Sequence, residues 1–210
     1  MFMHIIIRCN DLQKEELLTK PVNDNVSIDW YGEDDLIEEA DADVYFDLLF
    51  DKEHTGANLF VKGRPVFANA VISTTADIKY ENYIRINAWP GFLDKPLLEI
   101  AATDSMELIA EEIMNKIGWT YTFAPDEPGM IAARVIAMVI NEAYYGLADE
   151  ISSKEDIDTA MKLGTNYPYG PFEWAQKIGL SNIYYLLKKL EQQNPRYAPS
   201  PLIAKELGLI

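Results

Sequence analysis

One cysteine and two histidines occur in 210 residues. A lone thiol, Cys9, excludes an intrachain disulfide framework and a cysteine-rich zinc site. His4 and His54 leave little for a histidine-based metal centre. Basic residues are also scarce: 18 Lys plus Arg stand against 34 Asp plus Glu, a net charge of -16. Such a chain lacks the basic footprint that nucleic acid demands, and an anionic membrane surface would repel it. No run approaches the roughly 18 apolar residues that cross a bilayer. The apolar start Met1-Phe2-Met3-His4-Ile5-Ile6-Ile7 has no basic flank and no small-residue cleavage site, so it reads as a buried strand rather than a signal peptide. Repeats and low-complexity stretches are missing as well. Core formers are plentiful, with twelve Tyr, eight Phe and four Trp, which argues against disorder. The expectation is a cytoplasmic protein acting on small molecules or on other proteins.

The first 124 residues read as strands alternating with helices. Residues 4–8 form a β-branched run of the kind buried in parallel sheets. Residues 11–20 favour helix, with Leu12, Leu17 and Leu18 as the inner face. Further strands are predicted over 26–30, 44–50, 65–70, 83–87, 97–101 and 119–123, and a helical turn or two over 34–39. A helix begins at Asp104, which caps it with Glu107 at capping-box spacing. Leu108, Ile109, Ile113 and Ile117 supply its apolar stripe, and Gly118 ends it. This interleaving predicts an α/β domain with a mostly parallel sheet.

At Ala124-Pro125-Asp126-Glu127-Pro128-Gly129 the pattern breaks, dividing the chain into 1–124 and an all-helical 125–210. Residues 130–151 predict a long helix that is apolar almost all round, with Ile131, Val135, Ile136, Met138, Val139, Ile140, Tyr144 and Leu147. Such a helix belongs at a centre or a subunit interface. Ser152-Ser153-Lys154-Glu155-Asp156 opens a helix that runs to Leu163 and ends at Gly164. Helices over 172–178 and 182–193, separated by Gly179, and a short one over 202–207 follow.

The second half carries Pro128-Gly129-Met130-Ile131-Ala132-Ala133-Arg134, then Asn141-Glu142-Ala143, then Glu155-Asp156-Ile157-Asp158-Thr159-Ala160-Met161-Lys162-Leu163-Gly164. Tyr167-Pro168-Tyr169-Gly170-Pro171-Phe172-Glu173, Ile178-Gly179-Leu180 and Arg196-Tyr197-Ala198-Pro199 come after, in that order. Over about residues 90–202 this resembles the C-terminal helical domain of the 3-hydroxyacyl-CoA dehydrogenases. The resemblance implies a reduced Rossmann-like domain followed by a helical, homodimer-forming domain, an NAD cofactor, and an acyl-CoA substrate of fatty-acid metabolism in the cleft. The motifs themselves contain no chemistry: the glycines end or separate helices and the prolines fix turns. Fold likeness does not establish activity.

Hydride transfer from a 3-hydroxyacyl thioester needs a bound nicotinamide and a base for the hydroxyl proton. A dinucleotide fingerprint puts glycines after the first strand, so that backbone can approach the pyrophosphate. After Ile7 this chain has Arg8-Cys9-Asn10-Asp11-Leu12-Gln13-Lys14, with no glycine before Gly32. Residues 24–53 hold twelve acids and one base, Lys52, a poor field for two phosphates. By the resemblance, a His in a His-Phe-Phe-Asn-Pro stretch is the base and a Glu twelve residues on orients it. Glu99 matches that Glu. Counting back gives Asn87, or Ile86 if Pro90 is aligned with the family proline. Neither takes a proton near neutral pH. His54 lies on a different segment. The resemblance also implies an Asn before Arg134, where Ala133 stands, and a Ser near Asn69-Ala70-Val71-Ile72, where only the Asn matches and Ser73 lies one position on. An ordinary carboxylate satisfied by backbone or by Arg85 is an equal reading of Glu99. The acids Asp34, Asp35, Glu38, Glu39, Asp41 and Asp43 lack the glycine and alternation of a calcium loop, so no metal is expected.

Three readings stay open. The chain is a diverged family member without NAD binding or dehydrogenase activity, holding acyl-CoA or another metabolite. Or it is an active 3-hydroxyacyl-CoA dehydrogenase with an atypical site. Or it is a structural interaction protein with a closed cleft. A homodimer is expected, without nucleic-acid or membrane partners.

Overall fold

Among the described residues seven strands form one sheet in the order β2-β1-β3-β4-β5-β6-β7. They are β1 (Met3–Arg8), β2 (Val26–Tyr31), β3 (Val44–Asp47), β4 (Val66–Ala68), β5 (Tyr83–Ile86), β6 (Leu98–Ala101) and β7 (Tyr121–Phe123). The computed structural model describes residues 2–33, 35, 41–50 and 63–210. The helical turn expected over 34–39 and His54 lie outside them, as do Asp34, Glu38 and Glu39. Two compact units are present, Met1–Met130 and Ile131–Ile210.

In the first unit every neighbouring pair is parallel except β5 with β6. The reversal has a local cause. No described helix separates β5 from β6, and a short link can only turn a chain back on itself. Both sheet faces are covered, which is why the strands read as continuous apolar runs. One face carries Ile5, Ile7, Phe46, Phe67, Ile84, Ile86 and Ile100, packed against Leu17 and Trp119. Phe46 stacks on Phe67 at 4.5 Å and meets Trp119 edge-on at 5.6 Å. The other carries Ile6, Tyr45, Val66, Ala68, Ile78 and Tyr83.

Two helices of this unit differ from their sequence reading. Helix α1 (Asp11–Leu18) buries Gln13, Glu16 and Leu17, while Leu12 and Leu18 are exposed. Polar side chains face inward because the turns after neighbouring strands offer them carbonyls and an amide. A four-residue helix α2 (Thr75–Ile78) precedes β5. Helix α3 (Asp104–Ile117) has Thr103, not Asp104, as its N-cap, with no side-chain cap bond. Its buried stripe is Met106, Ala110, Ile113, Met114 and Ile117. Leu108 and Ile109 face solvent, because the i, i+4, i+7, i+8 spacing set by Met106 turns them outward. Gly118, at φ 92, ends the helix as expected.

The second unit is all helix: α4 (Ala132–Ala148), α5 (Lys154–Thr165), α6 (Pro171–Ile178), α7 (Leu180–Glu191), a 3-10 turn (Pro195–Tyr197) and α8 (Pro201–Glu206). Helix α4 is not buried all round. Ala133, Ile136, Ala137, Ile140, Asn141, Ala143 and Tyr144 face inward, and Ile131 and Val135 are exposed. Gly164 does not end α5; the helix runs on to Asn166, which takes the left-handed cap at φ 56. Ser153 caps α5 by accepting from the Asp156 amide.

The distinctive motifs have physical roles here. The buried Asp158 side chain accepts from the Phe172 amide at 2.8 Å and so caps the start of α6. A Cβ on Gly170 would lie 2.2 Å from Asp158 Oδ1. Only glycine leaves room for the carboxylate, although the φ of Gly170 is an ordinary -72. Asn141 donates to Ala198 O at 2.9 Å and accepts from the Ser200 amide at 2.7 Å, which fastens residues 198–200 to α4.

Candidate functional site

In an open doubly wound sheet, ligands bind outside the carboxyl ends of the strands, where strand order reverses direction. Here the strands run outward from β1 to β2 on one side and from β3 on the other. The place to inspect is therefore the carboxyl end of β1 and β3, with the adjoining ends of β4 and β5.

Four elements supply its side chains. Arg8, the last residue of β1, pairs through Nε with Asp47 Oδ1, the last residue of β3, at 3.0 Å. Both side chains are buried. Cys9 follows, buried, and burial pushes its thiol up to about 11; it is a packing residue, since the thiolate is the reactive form. Asn10 and Gln13 make a reciprocal capping box at the start of α1. Gln13 N donates to Asn10 Oδ1 at 2.8 Å, and Asn10 N donates to Gln13 Oε1 at 3.1 Å. Gln13 Nε2 then reaches across to Leu48 O at 2.8 Å and Ala88 O at 3.0 Å. Asn69 donates to Leu48 O at 3.1 Å and accepts from the Ala88 amide at 3.1 Å. One turn further along α1, Glu16 accepts from the Gly91 amide at 2.7 Å.

Asn87 and Glu99 come together at the ends of β5 and β6. Asn87 Nδ2 donates to Glu99 Oε2 at 3.4 Å, and Asn87 N donates to Glu99 O at 3.0 Å. Asn87 Oδ1 accepts from the Trp89 amide at 3.4 Å. Asn87 is 2% exposed and Glu99 is partly exposed. The pair offers one amide donor and one carboxylate, with no imidazole. Arg85 is fully buried and holds Asp126 at 2.6 Å through Nη1, together with the carbonyls of Ala70, Val71 and Glu127. Asp126 also accepts from the Thr75 amide and hydroxyl. Burial pulls its carboxyl up, but the Thr75 bonds and then Arg85 outweigh that and hold it below the usual range. Val71, at the place of the implied Ser, is fully buried, and so is Ala133, at the place of the implied Asn.

The dinucleotide fingerprint can be laid on this strand, turn and helix. Its G-x-G-x-x-G spacing puts the first glycine at the strand end, the second in the turn and the third in the first turn of the helix. Those places hold Arg8, Asn10 and Gln13. Each carries a buried or bonded side chain where bare backbone should meet pyrophosphate. None of the three positions holds the glycine of that fingerprint.

Among the described residues no cluster of three or more His, Cys, Asp or Glu could hold a metal ion. A cavity of about 400 Å³ lies within the second unit, lined by Tyr144, Lys154, Phe172 and Glu206 among others. Lys154 bonds Glu206 at 2.8 Å and sits 5.3 Å from the centres of both rings. Its acid and its cation already satisfy each other.

Sequence reasoning named Asn87 and Glu99, which the fold brings together, and named Asn69 only as a family match; it did not single out Gln13 or the Arg8–Asp47 pair. The Asn10-x-x-Gln13 spacing was the available signal, since it is a capping-box pattern.

Residues 129–207 match the family model described as 3-hydroxyacyl-CoA dehydrogenase, C-terminal domain. A 3-hydroxyadipyl-CoA dehydrogenase of Escherichia coli is 41% identical over 102 residues, covering 48% of this chain and 22% of that protein. A 3-hydroxybutyryl-CoA dehydrogenase of Bradyrhizobium diazoefficiens is 30% identical over 188 residues, covering 79% of this chain and 63% of that protein. The chain thus spans less than two thirds of the length of either relative. Among solved structures, M. tuberculosis FadB2 superposes with a TM-score of 0.75 over 99% of this chain and 94% of that one, at 13% identity. That likeness speaks to the fold alone. No helix among the described residues is long and apolar enough to cross a membrane.

Proposed function

We propose that the chain is a member of the 3-hydroxyacyl-CoA dehydrogenase family without NAD binding or dehydrogenase activity. The observation that carries the reading is the Asn87–Glu99 pair. A carboxamide donates to the carboxylate that, by the family likeness, orients a histidine base. It cannot accept the substrate's hydroxyl proton near neutral pH. The loss of a general base alone costs about 10²- to 10⁴-fold. The occupied fingerprint positions support the same reading independently.

What remains is a binding role. The ligand is acyl-CoA or another small metabolite, held without cofactor chemistry by a cytoplasmic homodimer formed through the helical unit. Exposed Ile131 and Val135 at the start of α4 support the dimer, since apolar side chains left together at a surface mark association. NADH fluorescence titration of the purified chain tests the first part: no saturable change is expected, and no oxidation of 3-hydroxyacyl-CoA. Saturable NADH binding in the low micromolar range, or turnover that disappears in Glu99→Ala, would overturn the reading. A thermal-shift series with acyl-CoAs tests the second part, because a ligand of the native state raises its melting temperature. An acyl-CoA that leaves the melting temperature unchanged at millimolar concentration is not the ligand.

A further inference from the structure

We draw no further inference here: the strongest candidate, the cavity of about 400 Å³ among α4, α5, α6 and α8 of the helical unit, rests on a cluster of acidic residues in which Glu206 pairs with Lys154, Glu173 with Lys162 and Asp158 with the Phe172 amide, and nothing else in the structure points to a ligand there.

Discussion

Asn87 and Asp126 are the residues whose replacement says most. Asn87→His puts an imidazole beside Glu99, the arrangement implied by the family. With Arg8, Asn10 and Gln13 still in the fingerprint positions, the expected outcome is no NAD-dependent oxidation of 3-hydroxyacyl-CoA, read by absorbance of the reduced nicotinamide. Measurable turnover would show that only the base was missing. Asp126 is the carboxylate that pairs with the fully buried Arg85 guanidinium. Asp126→Ala should cost about 2–3 kcal/mol by denaturant unfolding. That is less than the roughly 3–5 kcal/mol for breaking a fully buried pair, because Asp126 is itself partly exposed. The sign of its pH dependence follows from its depressed pKa. Its contribution is complete above the unfolded value of about 3.9 and is lost as pH falls through the lower folded value. An acid unfolding midpoint that is the same in wild type and Asp126→Ala would contradict this assignment.

At the level of elements, the motif residues can be weighed through their packing. Gly170→Ala introduces no backbone strain, since φ is -72. Its cost is steric: Asp158 must move and release the Phe172 amide. A loss of about 2–3 kcal/mol is expected. A double-mutant cycle with Asp158→Ala checks it, because the two effects should be far from additive if the contact is the cause. Met114 is fully buried on α3, and Met114→Ala should cost about 2–5 kcal/mol. Leu108→Ala should cost under about 0.5 kcal/mol, since that side chain is exposed. Denaturant unfolding of the two variants side by side reads the contrast, which also marks the limit of what hydropathy records. The strands and the helical second half were legible because a doubly covered sheet and a 3.6-residue period leave plain apolar patterns. The orientation of α1 and α3 was not, because apolar Leu12, Leu108 and Ile109 compete with other residues for the inner face. Gln13 and Glu16 win theirs through hydrogen bonds that no hydropathy pattern records. Asn87 and Glu99 were legible only by counting along the family likeness; that they touch is information from the fold.

For the whole molecule, charge is unevenly divided. The first 130 residues hold 25 of the 34 acids and 10 of the 18 bases, so nearly all of the net charge of -16 belongs to the first unit. Two such units repel each other, while the helical unit is close to neutral. A homodimer formed through the helical unit should therefore hold or tighten when salt is raised from about 20 to 200 mM, as screening relieves the repulsion. Sedimentation equilibrium at micromolar concentration reads this directly. A mass near the single-chain 23.9 kDa at both salts would exclude the dimer.

The end of β1 also sets what a glycine-rich turn would cost this chain. Placing glycine at the three fingerprint positions one at a time has no painless first step. Arg8→Gly takes the guanidinium away from the buried Asp47, Asn10→Gly removes the cap of α1, and Gln13→Gly leaves Ala88 O without its side-chain donor. Each intermediate loses stability before any cofactor could compensate. Because the neighbouring carbonyls and carboxylate depend on these side chains, a glycine turn at this place is fenced off by the protein's own folding requirements.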